Sequence, residues 1–173
     1  QSLAENPEIG VTTGTVNCLV CECNDGGLSD GRDRICDRSH LEEAFANACE
    51  DFAEGAVGSG RGMGCHGLKG GIGSASRVLT FDGKDYTVGI LTMTNHGRLK
   101  DLQIEGDRIG RRIQEAQAIA DAPDKGSCIV VLATDLPLSD RQLRRVIKRC
   151  TVGMSRLGSY IGHGSGEVFL GFS

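Results

Sequence analysis

The chain has 173 residues, enough for one ordinary domain with a hydrophobic core, and its apolar and charged fractions (39% and 24%) are those of a globular protein. A net charge of −4, spread without long basic or acidic blocks, argues against nucleic acid or a membrane surface as partner, and no apolar run reaches the roughly 18 residues of a membrane span. Two features are unusual: 26 glycines, and only 4% aromatic residues with no Trp, so a site here is built from backbone as much as from side chains.

The N-terminus, Gln1-Ser2-Leu3-Ala4-Glu5, lacks the basic flank and apolar core of a signal peptide. It also lacks an initiator Met, which suggests a trimmed start or a place inside a longer precursor. Val16 to Cys23 reads as a strand, closed by the turn-rich Asn24-Asp25-Gly26-Gly27. Cys18, Cys21 and Cys23 invite a metal reading. On a strand, however, Cys21 and Cys23 would share one face and Cys18 the other, and no second close pair follows at zinc spacing. The eight cysteines are therefore expected as scattered reduced thiols, which suggests a cytoplasmic setting.

Ser39 and Glu42 read as a capping box, with Leu41, Phe45 and Ala48 at helical spacing, predicting a helix over 40–53. Residues 55–73 form a glycine loop. Within it, Gly62-Met63-Gly64-Cys65-His66-Gly67 matches the dinucleotide-binding GxGxxG pattern. That motif needs a strand before it and a helix after it, and here the order is reversed. A backbone-lined wall beside a small-molecule pocket fits better, with Gly64 and Gly67 in it. His66, His96 and His163 stand beside glycines in loops and read as surface polar residues.

Ala75 to Phe81 and Tyr86 to Met93 read as strands joined by Asp82-Gly83, a strong hairpin signal. Residues 106–120 are predicted partly helical, and 120–126 a loop. The run Cys128 to Asp135 reads as a buried strand. Ser139 and Gln142 form a second capping box, and an apolar stripe from Leu143 to Leu157 opposes a basic, solvated helix face. A glycine turn then leads into a strand that runs to Phe172-Ser173, so the chain reads as unfinished at that end.

Gly126-Ser127 stands directly before the buried strand. A serine hydroxyl is a weak nucleophile until a neighbour takes its proton. If the Gly126–Ser127 bond were cut, Ser127 would own an α-amine with a reference pKa of about 7.7–8.0, suited to a general base at neutral pH. The cut could be made by Ser127 Oγ attacking the Gly126 carbonyl, and the strand would hold the new terminus at a sheet edge. Taken alone, the dipeptide is better explained as an ordinary loop-to-strand junction.

Five segments read together change that balance: VTTGTVNCLVCECNDG, EGAVGSGRGMGCHGLKGGIGSASR, YTVGILTMTNHGR, GSCIVVLATDLPLSDRQLRRV and GSGEVFLGFS. In this order they resemble the self-processing serine aminopeptidases of the L-aminopeptidase/D-amidase-esterase and β-peptidyl aminopeptidase family. The resemblance implies an α/β fold, a four-layer α/β/β/α sandwich of the N-terminal-nucleophile-hydrolase kind. It implies a single, incomplete domain over 1–173, cut between Gly126 and Ser127 into 1–126 and 127–173, whose pieces stay together and assemble into homo-oligomers.

Carried over by motif, Ser127 matches the nucleophile and Gly126 the residue before the cut. Asn95 matches the donor to the oxyanion. Ser165 and Glu167 match a polar pair that orients the nucleophile, both on one strand face toward the Ser127 amine, and Glu22 matches a holder of the substrate's free amine. Some family members carry Tyr where Asn24 aligns, and family chains are about twice as long as this one. The implied activity is release of amino-terminal residues from short peptides, amides or esters through an acyl-enzyme on Ser127, with no metal or organic cofactor. Acyl transfer on a similar scaffold, and a non-catalytic binding or assembly module, are the alternatives.

Overall fold

The computed structural model describes residues 6–173; the signal-peptide reading of residues 1–5 falls outside them. Its centre is a four-stranded mixed sheet in the order β3-β4-β5-β6, with β3 Gly71–Phe81, β4 Lys84–Asn95, β5 Ser127–Thr134 and β6 Gly166–Phe172. A small hairpin, β1 Gly64–Cys65 and β2 Leu68–Lys69, stands beside it. The helices are α1 Arg38–Ala46, α2 Ile109–Gln117, α3 Asp140–Ile147 and α4 Arg149–Arg156.

The β3–β4 hairpin follows from its sequence. Asp82 and Gly83 both take positive φ, +50° and +73°, as a two-residue turn matched to strand twist requires. β4 then pairs antiparallel with β5, from Val88↔Thr134 to Asn95↔Ser127. β5 and β6 are parallel, Ser127↔Gly166 to Ala133↔Phe172, and such a pair needs a crossover. The crossover is α3 and α4. Ser139 and Gln142 form the predicted capping box of α3, and Lys148 divides the long apolar stripe into two helices.

The two faces of the sheet differ. Cys128, Val130 and Met154 are buried together, with Ile90, Cys150 and Phe169 packed against them. Cys128, Val130 and Leu132 are each 2% exposed or less, so one face of β5 lies under the helices. Alternation puts Ser127, Ile129, Val131 and Ala133 on the other face, all only half-buried. Leu91 and Phe172, which register places on that second face, are 41% and 62% exposed. The fold is α/β, and the described residues build the four-stranded sheet, the small β1–β2 hairpin and a helical layer on one face.

Three expectations are corrected. Val16 to Cys23 forms no strand and joins neither sheet. The first helix is shorter than 40–53 and is capped by Asp37, whose carboxylate accepts from Ser39 N at 2.8 Å while His40 returns a ring nitrogen to Asp37 N. Ser39 and Glu42 therefore lie inside α1, and Leu41 and Phe45 stay exposed. Finally, β5 is an interior strand, so Ser127 begins a strand flanked on both sides rather than one at a sheet edge.

Candidate active site

The GxGxxG segment is a hairpin and not a nucleotide loop. A 3-10 turn, Gly58–Gly62, precedes it, and His66-Gly67 form a two-residue turn with φ +50° and +70° between β1 and β2. Lys69 fastens the loop from within, its ammonium donating to the carbonyls of Gly60, Met63 and Gly70 at 2.7, 2.9 and 2.7 Å. The hairpin thereby presents backbone to a cleft of about 660 Å³, whose lining includes Asn24, Gly64, Gly67, Asn95, His96 and Gly126. Gly64 and Gly67 both line this cleft.

Asn95 ends β4 opposite Ser127, so the two side chains share a face. The Asn95 amide is held at both ends: Oδ1 accepts from Gly64 N at 2.9 Å, and Nδ2 donates to the Asn24 carbonyl at 2.6 Å. One Nδ2 hydrogen is left for a further acceptor. The Ser127 hydroxyl is buried and makes no hydrogen bond of normal geometry. The polar group beside it is the Cys23 thiol, whose pKa is raised by burial, with the Ser127 hydroxyl pulling the other way.

Gly126 fits where no other residue would. A β-carbon there would fall 1.9 Å from the Asn95 carbonyl oxygen and 2.6 Å from His96 Cα. Its own carbonyl accepts the Gly166 N–H at 3.0 Å. Asp124 braces the approach, its carboxylate accepting from Gly126 N at 3.3 Å and Gly97 N at 3.1 Å.

Ser165 and Glu167 do share a face, joined by a 2.5 Å hydrogen bond from the serine hydroxyl to the carboxylate. Register sets Glu167 beside Cys128, across the sheet from Ser127 Oγ. The backbone of Ser127, including its nitrogen, runs between the two. Glu22 is exposed and is not among the residues lining the cleft.

The sequence reading missed the histidines. His66 and His96 are 3% and 5% exposed, not surface residues, and their rings meet edge to face at 5.3 Å. Burial, with His66 close by, lowers the pKa of His96 to about 4, against a smaller opposite pull from Asp124. The available signals were the position of His96 directly after Asn95 and of Cys65-His66 inside a glycine hairpin. Glycines flanking a histidine suggest a solvated loop, whereas here they let the backbone close over the ring. Asp124 and Gly166 carried no signal beyond their nearness to Ser127 and Glu167.

The sequence profile of peptidase family S58 matches residues 1–173. The chain is 41% identical over 169 residues to the beta-peptidyl aminopeptidase BapA of Sphingosinicella microcystinivorans, covering 90% of this chain and 43% of that protein. It is 40% identical over 167 residues to the BapA of Sphingosinicella xenopeptidilytica, with 90% and 42% covered. The chain thus spans less than half the length of these curated relatives.

Among solved structures, the PH0078 protein from Pyrococcus horikoshii OT3 superposes with a TM-score of 0.86 at 51% identity, over 99% of this chain and 47% of that one. The l-aminopeptidase d-ala-esterase/amidase of Ochrobactrum anthropi, described as a new variant among the Ntn hydrolase fold, gives 0.76 at 37% identity, over 86% and 40%. Matched along its whole length by the family profile and to these structures by its fold, the chain belongs to peptidase family S58.

Proposed function

We propose that the protein is a serine aminopeptidase that activates itself by cutting its own chain between Gly126 and Ser127. The observation that carries this reading is the buried Ser127 hydroxyl, which among the described residues has only the Cys23 thiol beside it, directly after a glycine whose carbonyl already accepts a backbone N–H from Gly166. In the first step Ser127 Oγ attacks the Gly126 carbonyl carbon, the C–N bond breaks, and the nitrogen takes the proton to become an amine. Charge on the carbonyl oxygen is stabilised by the Gly166 N–H, a donor in place before the reaction starts. Water then hydrolyses the ester, freeing Gly126 as a carboxylate and Ser127 as an N-terminal residue.

The two pieces would remain associated without any covalent link. β5, in the second piece, is hydrogen-bonded to β4 of the first over eight residue pairs, and Ile90 of β4 packs into the core formed by Cys128, Val130 and Met154. In the cut protein the Ser127 amine serves as general base for its own hydroxyl. The acyl group of the substrate's first residue passes to Oγ, the remaining amine or alcohol departs, and water releases the product. The free Nδ2 hydrogen of Asn95, on the face of Ser127, is the donor suited to the substrate oxyanion. The Ser165–Glu167 pair acts from the other face, on the amine side of Ser127, to hold its orientation. Short peptides, amides or esters with a free amino terminus are the substrate class, in keeping with the names of the relatives.

The test is intact mass under denaturing conditions on the full-length protein and its Ser127→Ala variant. The expected result is two fragments in the wild type, the second beginning Ser-Cys-Ile-Val, and one uncut chain in the variant. A single mass for the folded wild type would overturn the mechanism.

A further inference from the structure

Behind the Gly126–Ser127 junction lies a group of side chains that the peptidase reaction does not use. Cys65, His66 and His96 each bring a donor atom to one place, all within 4.8 Å of one another. Cys65 ends β1, His66 opens the hairpin turn, and His96 follows the last residue of β4. The chain therefore supplies the three donors from two separate segments.

Among the described residues, hydrogen bonding leaves two of the donors without a partner. His66 Nδ1 faces the Arg98 carbonyl at 3.2 Å, which makes Nδ1 the protonated nitrogen and Nε2 the lone-pair nitrogen. That Nε2 is buried with no hydrogen bond. His96 Nδ1 is likewise buried and unpartnered. Leaving such atoms unpaired in a protein interior is costly, and two of them in one cluster is a poor design for a purely apolar packing role. A backbone carbonyl that fixes the tautomer of one imidazole is the usual outer-sphere support of a ligating histidine.

The backbone is also arranged for this contact. His66 takes a left-handed φ of +50°, and a β-carbon on Gly97 would fall 2.5 Å from the His66 ring. The histidine is thus seated against glycine at a conformational cost. The Asp124 carboxylate, which accepts from Gly97 N, adds negative charge nearby.

We propose that Cys65, His66 and His96 bind one divalent cation of the zinc class. One thiolate and two imidazoles form a borderline-soft set that suits zinc, and three protein ligands leave a fourth position for water. His96, Gly64 and Gly67 line the cleft, so water reaches that position from there. Donors about 2.0–2.3 Å from zinc lie nearer to one another than 4.8 Å, so binding would draw the three side chains slightly together. Binding replaces the Cys65 thiol proton, which leaves to solvent, and forms one S–metal and two N–metal bonds with no change in oxidation state. The cation ties the glycine hairpin, whose Gly64 N–H holds the Asn95 amide, to the end of β4, where Asn95 stands.

The test uses the full-length protein, stripped with a chelator and titrated with cobalt(II) as probe, then with zinc. The expected result is about one metal per chain by elemental analysis, with a thiolate-to-cobalt charge-transfer band that zinc abolishes. Cys65→Ser and His96→Ala should each weaken binding by roughly 10-fold or more, while Cys18→Ser and His163→Ala leave it unchanged. No charge-transfer band in the wild type, or unchanged affinity in both ligand variants, overturns the proposal. The wild-type spectrum decides even if a variant fails to fold. The same titration on uncut Ser127→Ala protein separates this inference from self-cleavage, since each can fail while the other holds.

Discussion

Replacing Gly126 by Ala tests whether the residue before the proposed cut is chosen for space. The φ of Gly126 is not in the left-handed region, so a side chain there is opposed by sterics alone. The added methyl would stand 1.9 Å from the Asn95 carbonyl oxygen and 2.7 Å from its carbonyl carbon, both backbone atoms at the end of a paired strand. Relief needs a shift of more than about 1 Å in β4 or in the loop, and overpacking of this kind costs about 1–3 kcal/mol. At about 3 kcal/mol, a domain of about 150–250 residues loses roughly 6–12 °C of Tm.

The same shift draws the Gly126 carbonyl away from Gly166 N, and loss of one preorganised donor slows such a step by about 10²–10³. Stability is best read in an uncut background, Ser127→Ala against Ser127→Ala with Gly126→Ala, so that processing does not enter. Processing is followed separately as the appearance of two fragments on denaturing gels. Gly162→Ala is the control, since its β-carbon meets nothing within 4 Å and its φ is ordinary. If Gly126→Ala melts with its parent and is cut at the wild-type rate, the steric reasoning is wrong.

Two further outcomes follow from buried groups. Ser159 is 0% exposed and its hydroxyl has no hydrogen-bond partner, so Ser159→Ala should raise stability by roughly 1 kcal/mol in a urea melt; a loss of that size would mean the hydroxyl is bonded. Burial first, then the charges of Cys23, Cys65, Glu167 and Cys150, pushes the Cys128 thiol up to about 12. In native protein at pH 8 it should resist iodoacetamide while exposed Cys18 and Cys36 are alkylated, read by peptide mass. The sign with pH follows: the unfolded thiol ionises first, so this group's stabilisation is complete below about pH 8.5 and declines from there toward pH 12. Cys128→Ala should flatten that decline, and an unchanged alkaline slope would refute the assignment.

Local signals with a mechanism survived into the structure. Asp82-Gly83 needs two positive φ angles and has them, and the Ser139–Gln142 box satisfies its donors within four residues. Cys128 to Thr134 formed a strand because its alternate residues found a helical layer on one face. Val16 to Cys23 failed because a strand is a property of two segments, and its composition says nothing about whether an edge is free. The proposed site was read from a dipeptide, Gly126-Ser127, and from one residue at a strand end, Asn95. It was illegible where burial decides: His66 and His96 look solvated between glycines, and only packing of the hairpin onto β4 shows that they are enclosed.

Register also explains how one strand could serve a reaction that must both break and rebuild its own terminus. Ser127 Oγ and the Asn95 amide lie on the half-open face, whereas Glu167 lies with Cys128 on the helix-covered face. A nucleophile needs access to substrate, and a group that fixes a terminal amine needs rigidity; alternate positions on adjacent strands provide the two without mutual interference. The bond proposed to break is the single covalent link from the loop into this strand, while the β4 and β6 ladders remain. Cleavage would therefore free the amine and leave the hydroxyl, the Asn95 donor and the carboxylate where the uncut chain had set them.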